Sequence, residues 1–146
     1  MMHRALAPLL LLLMFGGCDA LPRDASGTSE RIARDGRMRV AVSPGTPDAA
    51  PALALLREYA GQHGARLTIV RVHGEHAPHW LEEGKVDVLV GHFAKTSPWI
   101  ADISLSKAVG RPEPEDSKLP VLRIARRNGE NALILATDRA VAAMAE

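Results

Sequence analysis

Short apolar runs alternate with segments of helical periodicity along the chain from residue 37 onward. Successive side chains of a strand point to opposite faces of a sheet, so a strand that is covered on both faces is apolar throughout. Runs of this kind predict buried strands at residues 65–72 and 85–93. Further strands are predicted at residues 37–43, a short β-branched run, and at 121–127. The segment DISLSKAVG, residues 102–110, is predicted to be a further strand or an extended crossing segment.

Helical spacing appears between these runs. After the first strand, apolar residues recur every three to four positions, at Ala52, Leu55, Leu56, Tyr59 and Ala60. Asp48 can cap this helix, Pro51 suits its first turn, and glycines at positions 61 and 64 end it. A short helix is predicted from Pro78, ending at Gly84, and a single turn from Ser97 through Ile100.

The last sixteen residues admit two interpretations. The spacing of Leu133, Thr137 and Val141 favours one long helix, because a period of 3.6 persists throughout. Asn128-Gly129 is instead typical of a tight hairpin turn, which would make the following residues a strand before a short terminal helix. We favour the long helix.

The alternation of strands and helices predicts an α/β domain with a mostly parallel central sheet, because strand–helix–strand units cross over right-handedly. Such sheets bind ligands beyond the carboxyl ends of their strands. Three loops are predicted to meet there, at residues 43–47, 72–79 and 91–99.

The amino terminus is predicted to direct export. An apolar run at residues 5–15 follows Arg4, is too short to span a bilayer, and is typical of a secretory signal. Gly16-Gly17-Cys18 resembles the bacterial lipobox, which implies a signal peptide at 1–17 and lipidation of Cys18; the alternative is an ordinary signal peptide with a chance cysteine. Asp19 favours the inner membrane, and the polar residues 18–36 are predicted to be a tether, helical at most near 29–34.

Composition narrows the classes of function. The chain has 146 residues with 18 basic and 17 acidic side chains, so it lacks the basic surface that nucleic-acid binding requires. Its one cysteine rules out a disulfide within the chain. We predict no enzyme and no cofactor, because no G-x-S-x-G elbow, glycine-rich phosphate loop or paired carboxylates occur.

Several motifs in order resemble the first lobe of bacterial extracellular solute-binding proteins, the periplasmic components of amino-acid-type ABC transporters. The motifs are Leu81-x-x-Gly84-x-x-Asp87-x-x-x-Gly91, then Thr96-Ser97-Pro98-Trp99, then Leu105-Ser106, and finally the returning strand and helix at 120–146. The resemblance covers about residues 37–109 and 120–146. It implies a three-layer α/β/α lobe of a type II periplasmic binding protein, with a folded domain at 37–146.

Two departures from the family pattern bear on ligand binding. A proline-rich linker at 110–119 stands where the family has its second lobe, so a bound ligand would be half exposed. Trp99 occupies the position of the arginine that binds a ligand carboxylate in the family, and an indole cannot make that bidentate contact.

The candidate ligand-binding residues follow from the three loops and the resemblance. They are Ser43, Thr46, His73, His92, Thr96, Ser97 and Trp99. For the serines and threonines, turn formation and helix capping are equal alternatives. Trp99 could instead be a core residue. Asp87 is interpreted as a structural residue that bonds neighbouring backbone.

The stretch VHGEHAPHW at 72–80 holds half of the six histidines of the chain. His73, His76 and His79 could bind zinc if the loop brought them together, with Glu75 or His92 as a further ligand, but Gly74 and Pro78 predict an irregular loop. We therefore expect no metal and regard these histidines first as contacts at the sheet edge.

Together these features predict a lipid-anchored protein on the periplasmic face of the membrane that binds a small, amino-acid-like solute. An ABC permease or another membrane protein would be its partner. The alternatives are an accessory interaction module built on a degenerate lobe, and a periplasmic metal binder that uses the loop from His73 to His79.

Overall fold

A computed structural model describes residues 23–73 and 76–145 of the chain. The helices are α1 (Thr28–Asp35), α2 (Ala50–Gln62), α3 (Ala77–Glu82) and α4 (Asn131–Ala143), with a short 3₁₀ helix at Pro98–Ala101. The strands are β1 (Arg37–Val42), β2 (Arg66–Val70), β3 (Val88–Phe93), β4 (Ile103–Leu105) and β5 (Val121–Arg127). The predicted signal peptide, Cys18 and Asp19 lie outside the described residues, as does Glu75 of the histidine stretch.

The five strands form a single sheet in the order β2-β1-β3-β5-β4. β1 pairs in parallel with both β2 and β3, whereas β5 pairs antiparallel with both β3 and β4. Four strands therefore run in one direction and β5 runs against them, because it returns from the linker and inserts between β3 and β4.

Helices cover both faces of the sheet, which gives three layers. On one face, α1, α2 and α4 pack against side chains such as Val40, Val88 and Ile124. On the other face, α3 packs against Leu89, Ile103 and their neighbours. Consecutive residues of β3 point to opposite faces and both are buried, which explains the nearly continuous apolar run in the sequence.

The structure corrects the prediction for β2. The sequence suggested a strand covered on both faces, but β2 is an edge strand whose residues are exposed or half-buried. Ile69 is 45% exposed. The apolar pattern is misleading because it does not show how many neighbouring elements will reach a strand at the margin of the sheet.

The last helix is a single element, so the prediction of one long helix is confirmed and the hairpin alternative is wrong. Asn128 and Gly129 instead form the turn between β5 and α4. Gly129 has a φ of 85°, a left-handed conformation that glycine adopts without strain.

Residues 24–36 belong to the folded unit and are not a tether. Helix α1 buries Ile32 completely in the core. The segment before it forms an antiparallel bridge between Asp24 and Glu130. Part of the polarity of this segment in the sequence reflects long-range polar contacts, although Glu30, Arg34 and Asp35 are exposed.

Two carboxylates cap helices that lie far from them in sequence. Asp24 precedes α1, yet its carboxylate accepts hydrogen bonds from the backbone of Ala132 (2.8 Å) and Leu133 (3.0 Å) at the start of α4. Glu130 precedes α4 and accepts from the backbone of Ser26 (2.9 Å) and Thr28 (3.1 Å) at the start of α1. Each helix is thus capped by the residue that introduces the other, so the two helix starts are joined.

Asp87 joins α1 to the edge of the sheet at which β1 and β3 begin. Its buried carboxylate accepts from the backbone N–H of Arg39 (2.7 Å) and from Arg39 Nη2 (2.8 Å), and it also pairs with Arg31. These contacts support the structural interpretation of the aspartate in the L-x-x-G-x-x-D motif.

Candidate functional site

The carboxyl edge of β1 and β3 brings one pair of loops together. Ser43 directly follows β1, and its N–H donates to the carbonyl of Val90 at 2.8 Å, which extends the strand pairing by one residue. Gly91 faces Ser43 across this edge. A Cβ at Gly91 would lie 2.7 Å from Ser43 Oγ and 2.9 Å from Ser43 Cβ, so only glycine fits beside this serine.

His92 and Asp48 form a polar pair at the same edge. His92 lies in β3, Asp48 lies in the loop before α2, and His92 Nε2 is 2.8 Å from Asp48 Oδ1. Both side chains remain accessible to solvent, at 36% and 43%. The hydrogen bond to His92 lowers the pKa of Asp48 below its usual value, and the charge of Arg111 adds to this effect.

This pair replaces the cap predicted for α2. Asp48 does not cap the helix, because Ala49 occupies the capping position and no side chain bonds to the free backbone N–H groups there. The carboxylate of Asp48 is committed to His92 instead. The Asp48–His92 pair could hold a cation through the carboxylate or donate to an anion through the imidazole.

The other predicted loop residues make fewer contacts. His73 and Thr96 are exposed and Thr46 is half-buried, and within the described ranges their side chains form no hydrogen bond. Each of them lies in the loop after one strand: Thr46 after β1, His73 after β2 and Thr96 after β3. They are available to a ligand.

Ser97 lies at the start of the 3₁₀ helix after β3, and Trp99 lies within it. Ser97 caps the 3₁₀ helix, with its Oγ accepting from the backbone of Trp99 at 3.4 Å, as the alternative interpretation predicted. Trp99 packs against the α3 side of the core and stands edge-on to His79, with 5.2 Å between ring centroids. Its indole lines a shallow pocket together with Arg127. Arg127 lies opposite Ile103, the first residue of β4, so this pocket is near the amino end of β3.

The three histidines of VHGEHAPHW occupy different places, because His73 lies in the loop before α3, His76 at its start and His79 within it. His76 occupies the capping position before α3, and His79 bonds through Nδ1 to Glu82 Oε2 at 3.1 Å. Among residues 23–73 and 76–145, no group of three histidine, cysteine, aspartate or glutamate side chains could hold a metal ion.

The linker at 110–119 folds back onto the sheet through Glu113. Arg123, which is 1% exposed in the middle of β5, binds this carboxylate through Nη1 (3.1 Å) and Nη2. Glu113 also accepts from the backbone of Ala108 at 2.8 Å and lies 3.2 Å from Lys95 Nζ. The hydrogen bonds from Arg123, ahead of those from Ala108 and Lys95, lower the pKa of Glu113 to about 2.

We call this the linker clamp: Arg123, Glu113 and Lys95. Arg123 also donates to the carbonyls of Phe93 (3.0 Å) and Ser106 (2.9 Å), so one guanidinium joins β3, β4 and the linker. The clamp holds the linker at 110–119 against the sheet. Sequence reasoning did not identify it, although the position of Arg123 between the apolar residues Leu122 and Ile124 was the available indication.

Comparison with known proteins gives matches only at the level of structure. No family model matches the chain, and no curated protein matches it. The arginine-bound form of domain 1 from TmArgBP superposes with a TM-score of 0.63 at 18% identity, covering 77% of this chain and 97% of that chain. A single-substitution mutant of the same domain gives a TM-score of 0.66 at 18% identity, with coverage of 80% and 98%.

A longer protein matches over a smaller part. The L-cystine solute receptor of Neisseria gonorrhoeae, in its unliganded open conformation, has 22% identity and a TM-score of 0.42 over 54% of this chain and 38% of that chain. The domain 1 matches carry the argument. They confirm the predicted fold, because this chain shares the α/β architecture of domain 1 from TmArgBP over most of its length.

Proposed function

We propose that the chain binds a small amino-acid-like solute at the carboxyl edge of its sheet. The premise is that it has the fold of one solute-binding lobe. The observation that carries this proposal is the match to an isolated domain 1 whose structure is described as arginine-bound. A single lobe of this fold can therefore hold a ligand without a second lobe. We expect Ser43, Asp48 and His92 to contact it.

The linker clamp supports the proposal that this lobe binds its solute without a second lobe. Arg123 and Glu113 tie the linker to β3 and β5, so the chain closes on itself beside the proposed site. Half of a bound solute would still face solvent, and binding energy grows with the surface a pocket encloses. We therefore expect modest affinity, unless a membrane partner such as a permease covers the open side.

The test is a thermal-shift screen of the full chain against the amino acids, cystine, small carboxylates and zinc. A ligand at about 100 times its Kd stabilises the native state by roughly 2.7 kcal/mol. For a domain of this size that is a shift in Tm on the order of 10 °C. No shift with any amino acid or carboxylate would contradict the proposal, and a zinc shift lost in His76→Ala would favour the metal-binding alternative.

Two histidine variants locate the site. His92→Gln removes the imidazole that faces Asp48 and should reduce the ligand-induced shift. His79→Gln makes the same change on α3, beside Trp99, and should leave the shift unchanged. A shift that depends on His79 instead of His92 would place the ligand in the pocket of Trp99 and Arg127, against the position proposed here.

We further propose that the domain is held at the periplasmic face of the membrane through a lipid on Cys18. The support is the lipobox-like sequence Gly16-Gly17-Cys18 after an apolar run. Within the described residues, no helix is long and apolar enough to cross a membrane. Fractionation of cells expressing the chain should find it with the membranes, and Cys18→Ser should release it; a variant that stays lipidated would refute this anchor.

A further inference from the structure

The sheet has two open edges, at β2 and at β4, and the edge of β4 lies beside a groove with basic residues. β4 is the outermost strand on its side, and its one neighbour in the described sheet is β5. A strand with one open side presents unpaired backbone N–H and C=O groups, which can pair with another extended chain.

The hydrogen bonds of β4 show which groups are free. Ser106 donates its backbone N–H to the carbonyl of Ile124 at 2.9 Å, so the backbone groups of Ser106 point toward β5. Along an antiparallel strand, residues whose backbone N–H and C=O groups point toward the paired strand alternate with residues whose groups point away from it. Ser104, which is opposite Arg126, therefore also faces β5, and the backbone groups of Ile103 and Leu105 point away from the sheet.

A groove of about 490 Å³ runs beside this edge. It is lined by the residues of β4 together with Ile100, whose side chain is 50% exposed and offers an apolar contact. The lining also contains Lys95, Lys107 and Arg123, and it contains no carboxylate. The acidic residue of the clamp, Glu113, already pairs with both Arg123 and Lys95.

Charge and size decide which occupant fits. A second copy of the chain would bring its own Lys95 and Lys107 to a groove that is already positively charged. Two strands of three residues would also bury far less than the roughly 1,200 Å² that stable dimers need. An extended segment with acidic side chains has the matching charge, and it requires only the short edge that β4 offers.

We propose that the free edge of β4 binds an extended acidic peptide segment of a partner protein, which adds to the sheet as a sixth strand. The backbone groups of Ile103 and Leu105 pair with the segment, Ile100 packs against one of its apolar side chains, and Lys95 and Lys107 face its carboxylates. This site is separate from the Ser43–His92 group and does not depend on solute binding.

The experiment measures fluorescence anisotropy of labelled eight-residue peptides added to the full chain. The first peptide alternates valine and glutamate, and the second replaces each glutamate by lysine. The glutamate peptide should bind and weaken as salt is added, and the lysine peptide should bind at least about tenfold more weakly. Lys107→Glu should weaken the glutamate peptide by about three- to tenfold, whereas Arg57→Glu, on the surface of α2, should not.

Backbone pairing is tested separately. Leu105→Pro removes an N–H that points away from β5, so no hydrogen bond within the sheet is lost, and it should weaken binding at least about tenfold. Because this change also trims a half-buried side chain, two N-methylated peptides provide a test on the native protein. Methylation at one set of alternate residues should abolish binding, and methylation at the other set should not.

Three results would overturn the proposal. They are the absence of binding by the glutamate peptide, equal binding by both N-methylated peptides, and self-association of the chain that Leu105→Pro abolishes. The last result would show that a second copy occupies the edge.

Discussion

Replacing Glu130 by alanine should destabilise the fold strongly, although this residue lies outside the proposed binding site. Its side chain is 1% exposed and accepts from the backbone of Ser26 and Thr28. A hydrogen bond to a charged group contributes roughly 1.5–3 kcal/mol, and loss of a helix cap costs roughly 0.5–2 kcal/mol. Since the two bonds share one carboxylate, we expect Glu130→Ala to lower the free energy of unfolding by about 2–4 kcal/mol.

Asp24→Ala should cost about 1–3 kcal/mol, because Asp24 caps α4 from a less buried position. The two carboxylates hold the same bridge between the first described residues and the turn before α4. Removing either one should free that bridge, so the double variant should cost at least about 1 kcal/mol less than the sum of the two single variants. Glu58→Ala, on the exposed side of α2, is the control and should change stability by less than about 0.5 kcal/mol.

The assay is urea unfolding followed by circular dichroism, with linear extrapolation to water. Additive effects of Asp24→Ala and Glu130→Ala, or a cost of Glu130→Ala within the range of the control, would refute the reasoning.

Acid provides a second check of the same prediction. Burial would raise the pKa of Glu130, but hydrogen bonds from Thr28 and Ser26 outweigh it and lower the pKa. The stabilisation is therefore complete above the ordinary value of 4.5 and is lost as pH falls through the lower folded value. The difference between the native chain and Glu130→Gln should shrink in that acidic range.

Three further predictions follow from the clamp, the site edge and the base of the sheet. Glu113→Gln should flatten the fall in urea midpoint between pH 4.5 and about 2, because the native carboxylate has its pKa lowered across that interval; an unchanged pH profile would contradict the clamp. Gly91→Ala should lower the free energy of unfolding by about 1–3 kcal/mol through its contact with Ser43, and adding Ser43→Gly should restore most of it in the same urea assay. Asp87→Ala should cost about 3–5 kcal/mol, because it removes the buried carboxylate shared by the half-buried Arg31 and Arg39 and leaves the backbone N–H of Arg39 without its acceptor. A similar cost for the exposed Arg34→Ala would contradict this explanation.

The order of elements was predictable from the residues. The 3.6-residue period of α2 and α4 and the apolar run of β3 are local patterns, and each reflects burial within a few residues. The single turn after Ser97 was predicted for the same reason, because its cap and proline are adjacent in sequence. These features required no knowledge of distant contacts.

The candidate site was predictable only in part. The rule that loops meet beyond the carboxyl ends of parallel strands correctly placed Ser43 next to β3. It did not predict that Asp48 would pair with His92 instead of capping α2, because that choice depends on the distance between two loops. It also did not predict that Trp99 would pack beside His79, since the chain after β3 must return across the face of the sheet to begin β4.

The sequence by itself determined the periodic elements, the α/β class and the loops that follow the carboxyl ends of the parallel strands. The tertiary structure alone decided the cross-caps of Asp24 and Glu130, whose hydrogen bonds join residues 104 and 108 positions apart. It also decided the linker clamp, the exposed edge of β2 and the free edge of β4. The physical reason is that periodicity records which face of an element is buried, whereas a polar group far along the chain finds its partner only when the whole fold closes.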